Sequence, residues 1–161
     1  AQNGASYPAS LPTVNAISAL DPDGNLASFS NFGPLIDFSA PGVSAYTTDR
    51  SGTDGWSSGD YTFANGTSFA SPYAAGVAAL ILSHSDMLAS WEVEDVLRVG
   101  ARDLGPVGKD DVYGWGFVNA DASLALLDGP PLGFGLTFPS DGISGVSVTG
   151  QVNWDAAALA N

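Results

Sequence analysis

The sequence predicts an α/β protein, and three observations carry that reading. Four short segments rich in β-branched and aromatic residues, "TVNAISAL" (13–20), "LIDFSA" (35–40), "VSAYTT" (43–48) and "DYTFAN" (60–65), are bounded by Gly, Pro, Asn and Asp. A long run of small and aliphatic residues, "SPYAAGVAALILS" (71–83), carries no charge. Two shorter stretches, "WEVEDVLRVGA" (91–101) and "ADASLALL" (120–127), have helical character.

Each element has a local reason. The 13–20 segment reads as a buried strand that ends at "DPDGN", a turn whose Asp21, Asp23, Gly24 and Asn25 faintly echo a calcium loop. Without the remaining ligands and the closing Glu, a plain turn is the better reading. Segments 35–40 and 43–48 flank an Ala40-Pro41-Gly42 corner, and a polar, Gly-rich loop follows over 49–59. The uncharged run is expected to be a helix over 71–83, started by Pro72 and buried on all sides. In the next helix Ser90 is the expected cap and Val93, Val96 and Leu97 form the apolar stripe.

The chain has 161 residues, 45% hydrophobic and 13% charged, enough for one ordinary domain with a core. Its net charge of −13 arises from 4 Lys+Arg against 17 Asp+Glu. So few cations argue against nucleic acid, whose phosphates need Lys and Arg, and against an anionic membrane surface. The absence of cysteine removes disulfides, thiolate nucleophiles and Cys-based zinc sites. No apolar run reaches membrane-spanning length, and "AQNGASYPAS" neither begins with Met nor reads as a signal peptide. The chain is expected to be a piece of a longer polypeptide. At "LLDGPPLGFG" the composition changes: residues 1–127 read as one domain portion, 128–132 as a linker and 133–161 as the start of a β-rich module.

The chemistry centres on "NGTSFASPYAAGVAALIL" (65–82). It points Ser68 at the N-terminal end of an interior helix, where free N–H groups and the positive dipole end favour a developing anion. A nucleophile fits that position, and so does a plain helix cap at Ser68 or Ser71. "GTSFA" nearly meets the nucleophile elbow of α/β-hydrolases, which requires a downstream His. His84 is the single histidine, and sixteen residues of helix at about 1.5 Å each put it roughly 24 Å from Ser68. A general base must lie within hydrogen-bond reach, so His84 is not the base. It is expected to meet carbonyls at the helix C-terminus.

The same stretch closely resembles the active-serine segment of the subtilisin-like serine proteases (subtilases). The resemblance continues on both sides, through "YPASLPTVNAISALDPDGNLASFSNFGPLIDFSAPGV" and "DLGPVGKDDVYGWGFVNADASLAL", and spans residues 7–127. A sedolisin reading fits less well, because "SFASP" departs from that family's serine segment. The resemblance implies a three-layer subtilisin-like α/β fold with a mainly parallel sheet, only part of which falls in this chain. It implies hydrolysis of polypeptide substrates through an acyl-enzyme at Ser68, in a secreted enzyme that needs no cofactor for catalysis. Because the subtilase triad runs Asp, His, Ser along the chain, its Asp and His are expected on a missing N-terminal half of the domain.

Further implications attach to single residues. The Ser68 backbone N–H would donate to the oxyanion, with Thr67 as a second contributor. Asn3 is the candidate for the family's side-chain oxyanion donor, although "AQN" lacks that donor's preceding Gly. The Tyr7–Pro8 peptide is expected to be cis. A weak site for calcium or a monovalent cation maps onto the carbonyls of Ala9, Leu11 and Val14 and the carboxylate of Asp37, while the family's other carboxylate falls on Leu35. Phe69 stands where many subtilases carry Met, and Tyr73 where many carry a non-catalytic His. Asn65-Gly66-Thr67 also spells a glycosylation sequon, expected to be accidental beside a buried nucleophile. A non-catalytic scaffold or binding domain of the same fold, with Ser68 as a cap, is the alternative.

Overall fold

The computed structural model describes residues 3–128. The expected linker is therefore represented by Asp128 alone, and the expected β-rich module lies outside the described residues. Strand β1 (Ile17–Leu20) pairs in parallel with β2 (Phe38–Pro41), Ile17 opposite Phe38 and Leu20 opposite Pro41. Ser18, Ala19, Leu20, Phe38, Ser39 and Ala40 are all fully buried. Such near-continuous burial is what parallel strands covered on both faces require. Strands β3 (Ala45–Thr48) and β4 (Tyr61–Ala64) form a separate antiparallel ribbon. Among the described residues, parallel pairing between strands is thus confined to β1 and β2, and all four strands are shorter than the sequence segments that announce them. A single 3₁₀ turn at Gly52–Asp54 sits in the polar loop.

Helix α1 (Thr67–His84) packs on β1 and β2. It corrects the sequence expectation twice. It begins five residues before Pro72, because the turn ahead of it is anchored: the Gly66 N–H donates to the Gly42 carbonyl at 2.8 Å. Pro72 therefore lies inside the helix, where it has no N–H to offer the carbonyl of Ser68. Nor is the helix covered all round. Ala70, Ala74 and Ile81 are buried along one side, whereas Tyr73, Leu80 and Leu82 are exposed. Small residues let the strands approach one face, and among the described residues nothing covers the other.

Helix α2 (Ser90–Gly100) buries Val93, Val96, Leu97 and Gly100, the expected stripe lengthened by one turn. Its cap is Ala89 rather than Ser90. Alanine has no side-chain acceptor, and the first turn is held instead by Glu92, whose carboxylate accepts the Ala89 N–H at 2.7 Å. Helix α3 (Ala120–Asp128) starts where expected, with Asn119 accepting the Ala122 N–H through its side chain at 3.2 Å. Gly100 permits α2 and α3 to touch, since a Cβ there would lie 2.8 Å from the Ser123 backbone. The core joins α1 and α2 to β1 and β2 through Ala19, Phe38, Ala40, Ala70, Ile81, Val96 and Leu97, and Leu126 and Leu127 of α3 pack against it.

The Asp21 turn is a plain hydrogen-bonded turn. Asp21 Oδ1 accepts the N–H groups of Asp23 at 3.0 Å and Asn25 at 2.9 Å. Those donors, Asn25 foremost, hold its carboxyl below the usual carboxylate range, against a smaller opposing effect of desolvation.

Candidate active site

Ser68 is the second residue of α1 and is exposed. It is not a cap: the cap residue is Gly66, and no side chain caps this end. Ser71 is likewise inside the helix. The Phe69 N–H turns back to the Gly66 carbonyl at 3.0 Å, so the earliest N–H groups, those of Thr67 and Ser68, belong to the unpaired set that opens every helix. No acidic side chain occupies the first turn to oppose an incoming anion.

Two hydrogen bonds fasten this turn to the sheet. The Gly42 N–H donates to the Leu20 carbonyl at the end of β1, and the Gly42 carbonyl accepts from Gly66. Gly42 is packed so closely on β1 that an added Cβ would lie 2.4 Å from the Cβ of Ala19. The next corner residue, Ser44, adopts a left-handed φ of 55° and donates its N–H to Asn65 Oδ1 at 2.7 Å. The side chain of the apparent sequon is thereby a structural acceptor.

Thr67 and Ser68 line a hollow of about 460 Å³ together with Ala5, Ser6, Tyr7, Pro8, Ala9, Ala16, Ile17, Phe29, Asn31 and Ile36. The Tyr7–Pro8 peptide that forms one wall is cis, as the resemblance implies. Asn3 is not among the lining residues. It bridges Phe32, and its Oδ1 occupies the space a side chain at Gly33 would need. His84 sits in the last turn of α1, where its Nε2 lies 3.1 Å from the Asp128 carboxylate. Its partner is a carboxylate on α3 rather than the expected carbonyls, and the length of α1 separates it from Ser68.

Of the four residues matched to a cation site, two have their matched oxygens engaged with the protein itself, Leu11 and Asp37. The Leu11 carbonyl accepts the Val14 N–H at 3.0 Å. Asp37 Oδ2 accepts the Ala16 N–H at 2.9 Å, and Asp37 Oδ1 lies 2.9 Å from the Lys109 ammonium. Ala9 faces the hollow beside Ser68. Leu35, where a second carboxylate would stand, is an exposed apolar side chain. Calcium prefers six to eight oxygen ligands and gains affinity with ligand charge. One carboxylate already neutralised by an ammonium does not fit it. Lys109 is the residue that sequence reasoning missed, since nothing local connects it to a partner 72 positions away.

An exposed serine thus opens a helix beside a hollow of mixed polar and apolar lining on an α/β framework. The chain belongs to the Subtilase family, which it matches over residues 1–116. It is similar to Subtilisin DY of Bacillus licheniformis, 43% identical over 122 residues that cover 76% of this chain and 41% of that protein. It is also similar to the halolysin-like extracellular serine protease Nep of Natrialba magadii, 43% identical over 80% of this chain and 22% of that protein. Among solved structures, a lanthipeptide protease aligns with a TM-score of 0.66 and 28% identity, covering 74% of this chain and 44% of that one. Proteases from Pseudoalteromonas arctica align with a TM-score of 0.66 and 32% identity, covering 77% and 39%. The chain therefore spans less than half the length of these relatives. Among the described residues, no helix is long and apolar enough to cross a membrane.

Proposed function

We propose that the protein containing this chain is a secreted serine endopeptidase whose nucleophile is Ser68. The observation that carries the reading is the exposed placement of Ser68 in the first turn of α1, on the wall of the hollow. Its hydroxyl oxygen attacks the scissile carbonyl carbon while a histidine takes the hydroxyl proton. The resulting oxyanion accepts from the Ser68 N–H, with Thr67 beside it. Collapse breaks the C–N bond, the histidine returns the proton to the leaving amine, and water then hydrolyses the acyl-enzyme. His84 is too distant to serve, so the histidine and its orienting aspartate come from the part of the protein that this chain does not span. Asn3, tied to Phe32, has the weakest claim to the oxyanion role, and an upstream asparagine is the better donor.

Extracellular action is supported by the names of relatives such as the extracellular serine protease Nep. The test uses the full-length protein, a fluorophosphonate probe and casein. Wild type should be labelled and hydrolyse casein, whereas Ser68→Ala should do neither at an unchanged unfolding temperature. Labelling that survives Ser68→Ala would move the nucleophile elsewhere, and a well-folded, unlabelled wild type would favour a non-catalytic scaffold.

A further inference from the structure

Asp37 ties together three separate parts of the chain. Its backbone N–H donates to the Ala16 carbonyl at 2.9 Å, and its own carbonyl accepts the Trp115 N–H at 2.7 Å. Its carboxylate returns to the Ala16 N–H through Oδ2 and meets the Lys109 ammonium through Oδ1. The loop bearing Lys109 is closed on itself by reciprocal hydrogen bonds between Asp110 and Gly114. Gly114 lies so close to Asp37 that a side chain there would meet the Asp37 carbonyl at 2.3 Å. Lys109 is also held on a second side, with its ammonium 6.0 Å from the Trp115 ring centroid. Its side chain is 31% exposed and that of Asp37 21%, so the pair is partly withdrawn from solvent.

We propose that Lys109 is a built-in cation at this position, its ammonium taking the place of the metal ion that the family resemblance assigns to Asp37. A carboxylate used twice by the protein needs one positive charge to balance it. A lysine supplies that charge through a single contact, whereas a metal held by the Asp37 carboxylate would find apolar Leu35 where the family's second carboxylate stands. The strand start at β2, the segment leading into β1 and the 109–115 loop are then clamped together irrespective of calcium or sodium concentration. The clamp acts one step from the Ser68 hollow, because Ala16 and Ile36 belong to its lining.

Terbium luminescence excited through tryptophan tests this in the full-length protein, since Trp115 lies beside the ammonium and would sensitise a lanthanide in its place. Four proteins are compared: wild type, Asp37→Asn, Lys109→Met and the double variant. The expected result is a wild-type signal that Asp37→Asn leaves unchanged, together with a new signal in Lys109→Met that the double variant loses. Lys109→Gln provides the same readout should the methionine variant fold poorly. If Asp37→Asn removes part of the wild-type signal, Asp37 holds a metal with Lys109 present and the proposal fails. If neither Lys109 variant gains an Asp37-dependent signal, the position is no cation site at all and the proposal also fails.

Discussion

Replacing Gly42 by alanine puts one methyl group where β1, the Pro41–Gly42 corner and the Ser68 turn converge. The added Cβ would lie 2.4 Å from Ala19 Cβ, 3.2 Å from Ala19 Cα and 3.0 Å from the Gly66 carbonyl oxygen. Carbon atoms settle about 3.5–4.0 Å apart, so the corner and β1 must separate by roughly 1 Å. Ala19 is fully buried on the middle of β1 and cannot yield easily. Overpacking of this kind costs about 1–3 kcal/mol. The displacement passes to the corner and then, through the Gly42 carbonyl to Gly66 N–H bond, to the turn that positions Ser68. A misplacement of about 1 Å at a reacting group costs on the order of 100-fold. The assay is the second-order rate of fluorophosphonate labelling of the full-length protein, with thermal unfolding measured alongside. Gly42→Ala should label about 100-fold more slowly while remaining folded. Gly24→Ala is the control: its φ is +84° with open space around it, so it should cost about 1 kcal/mol of backbone strain and leave labelling unchanged. Wild-type labelling of a folded Gly42→Ala would refute the coupling between the corner and the serine.

The isolated 161-residue chain should hydrolyse no casein, since an unassisted serine hydroxyl is a weak nucleophile at neutral pH; Ser68-dependent turnover by the fragment would contradict this. With the bare face of α1 exposed, the same fragment should unfold without a sharp transition and aggregate on heating, so a cooperative melt of a monomer would count against it. Phe69 follows Ser68 directly and cannot form a sulfoxide, so Phe69→Met in the full-length protein should introduce peroxide-sensitive activity. Equal inactivation rates for wild type and Phe69→Met would mean that this side chain does not adjoin the reacting serine. Finally, Asp21→Ala should lower the unfolding temperature at neutral pH. The folded-state pKa of Asp21 is depressed, chiefly by the Asn25 N–H, so its contribution is present above the ordinary carboxylate range and is lost as pH falls through the lowered value. The two melting curves should converge in acid, and a gap that persists at low pH would show that the carboxylate is not responsible.

Several features were legible in the residues because their causes lie within a few positions of one another. The Asp21 turn needs only Asp23 and Asn25 to close, the α2 stripe is read from its own spacing, and α3 begins beside Asn119. The family resemblance of the serine segment was equally readable, since it rests on contiguous residues. What needed the tertiary structure was every relation between distant segments. Pro72 looked like a helix start, but Gly42, 24 positions before Gly66, fastens the turn that starts α1 earlier. An uncharged helix looked buried all round, yet burial depends on what packs against it, and here β1 and β2 cover one face. The Asp37 carboxylate looked available to a metal until the fold brought Lys109 to it across 72 residues. Local conformation follows from torsional preference and nearby hydrogen bonds, which the sequence states directly. The partner of a buried group is decided by which chain segments converge on it, and only the folded chain determines that.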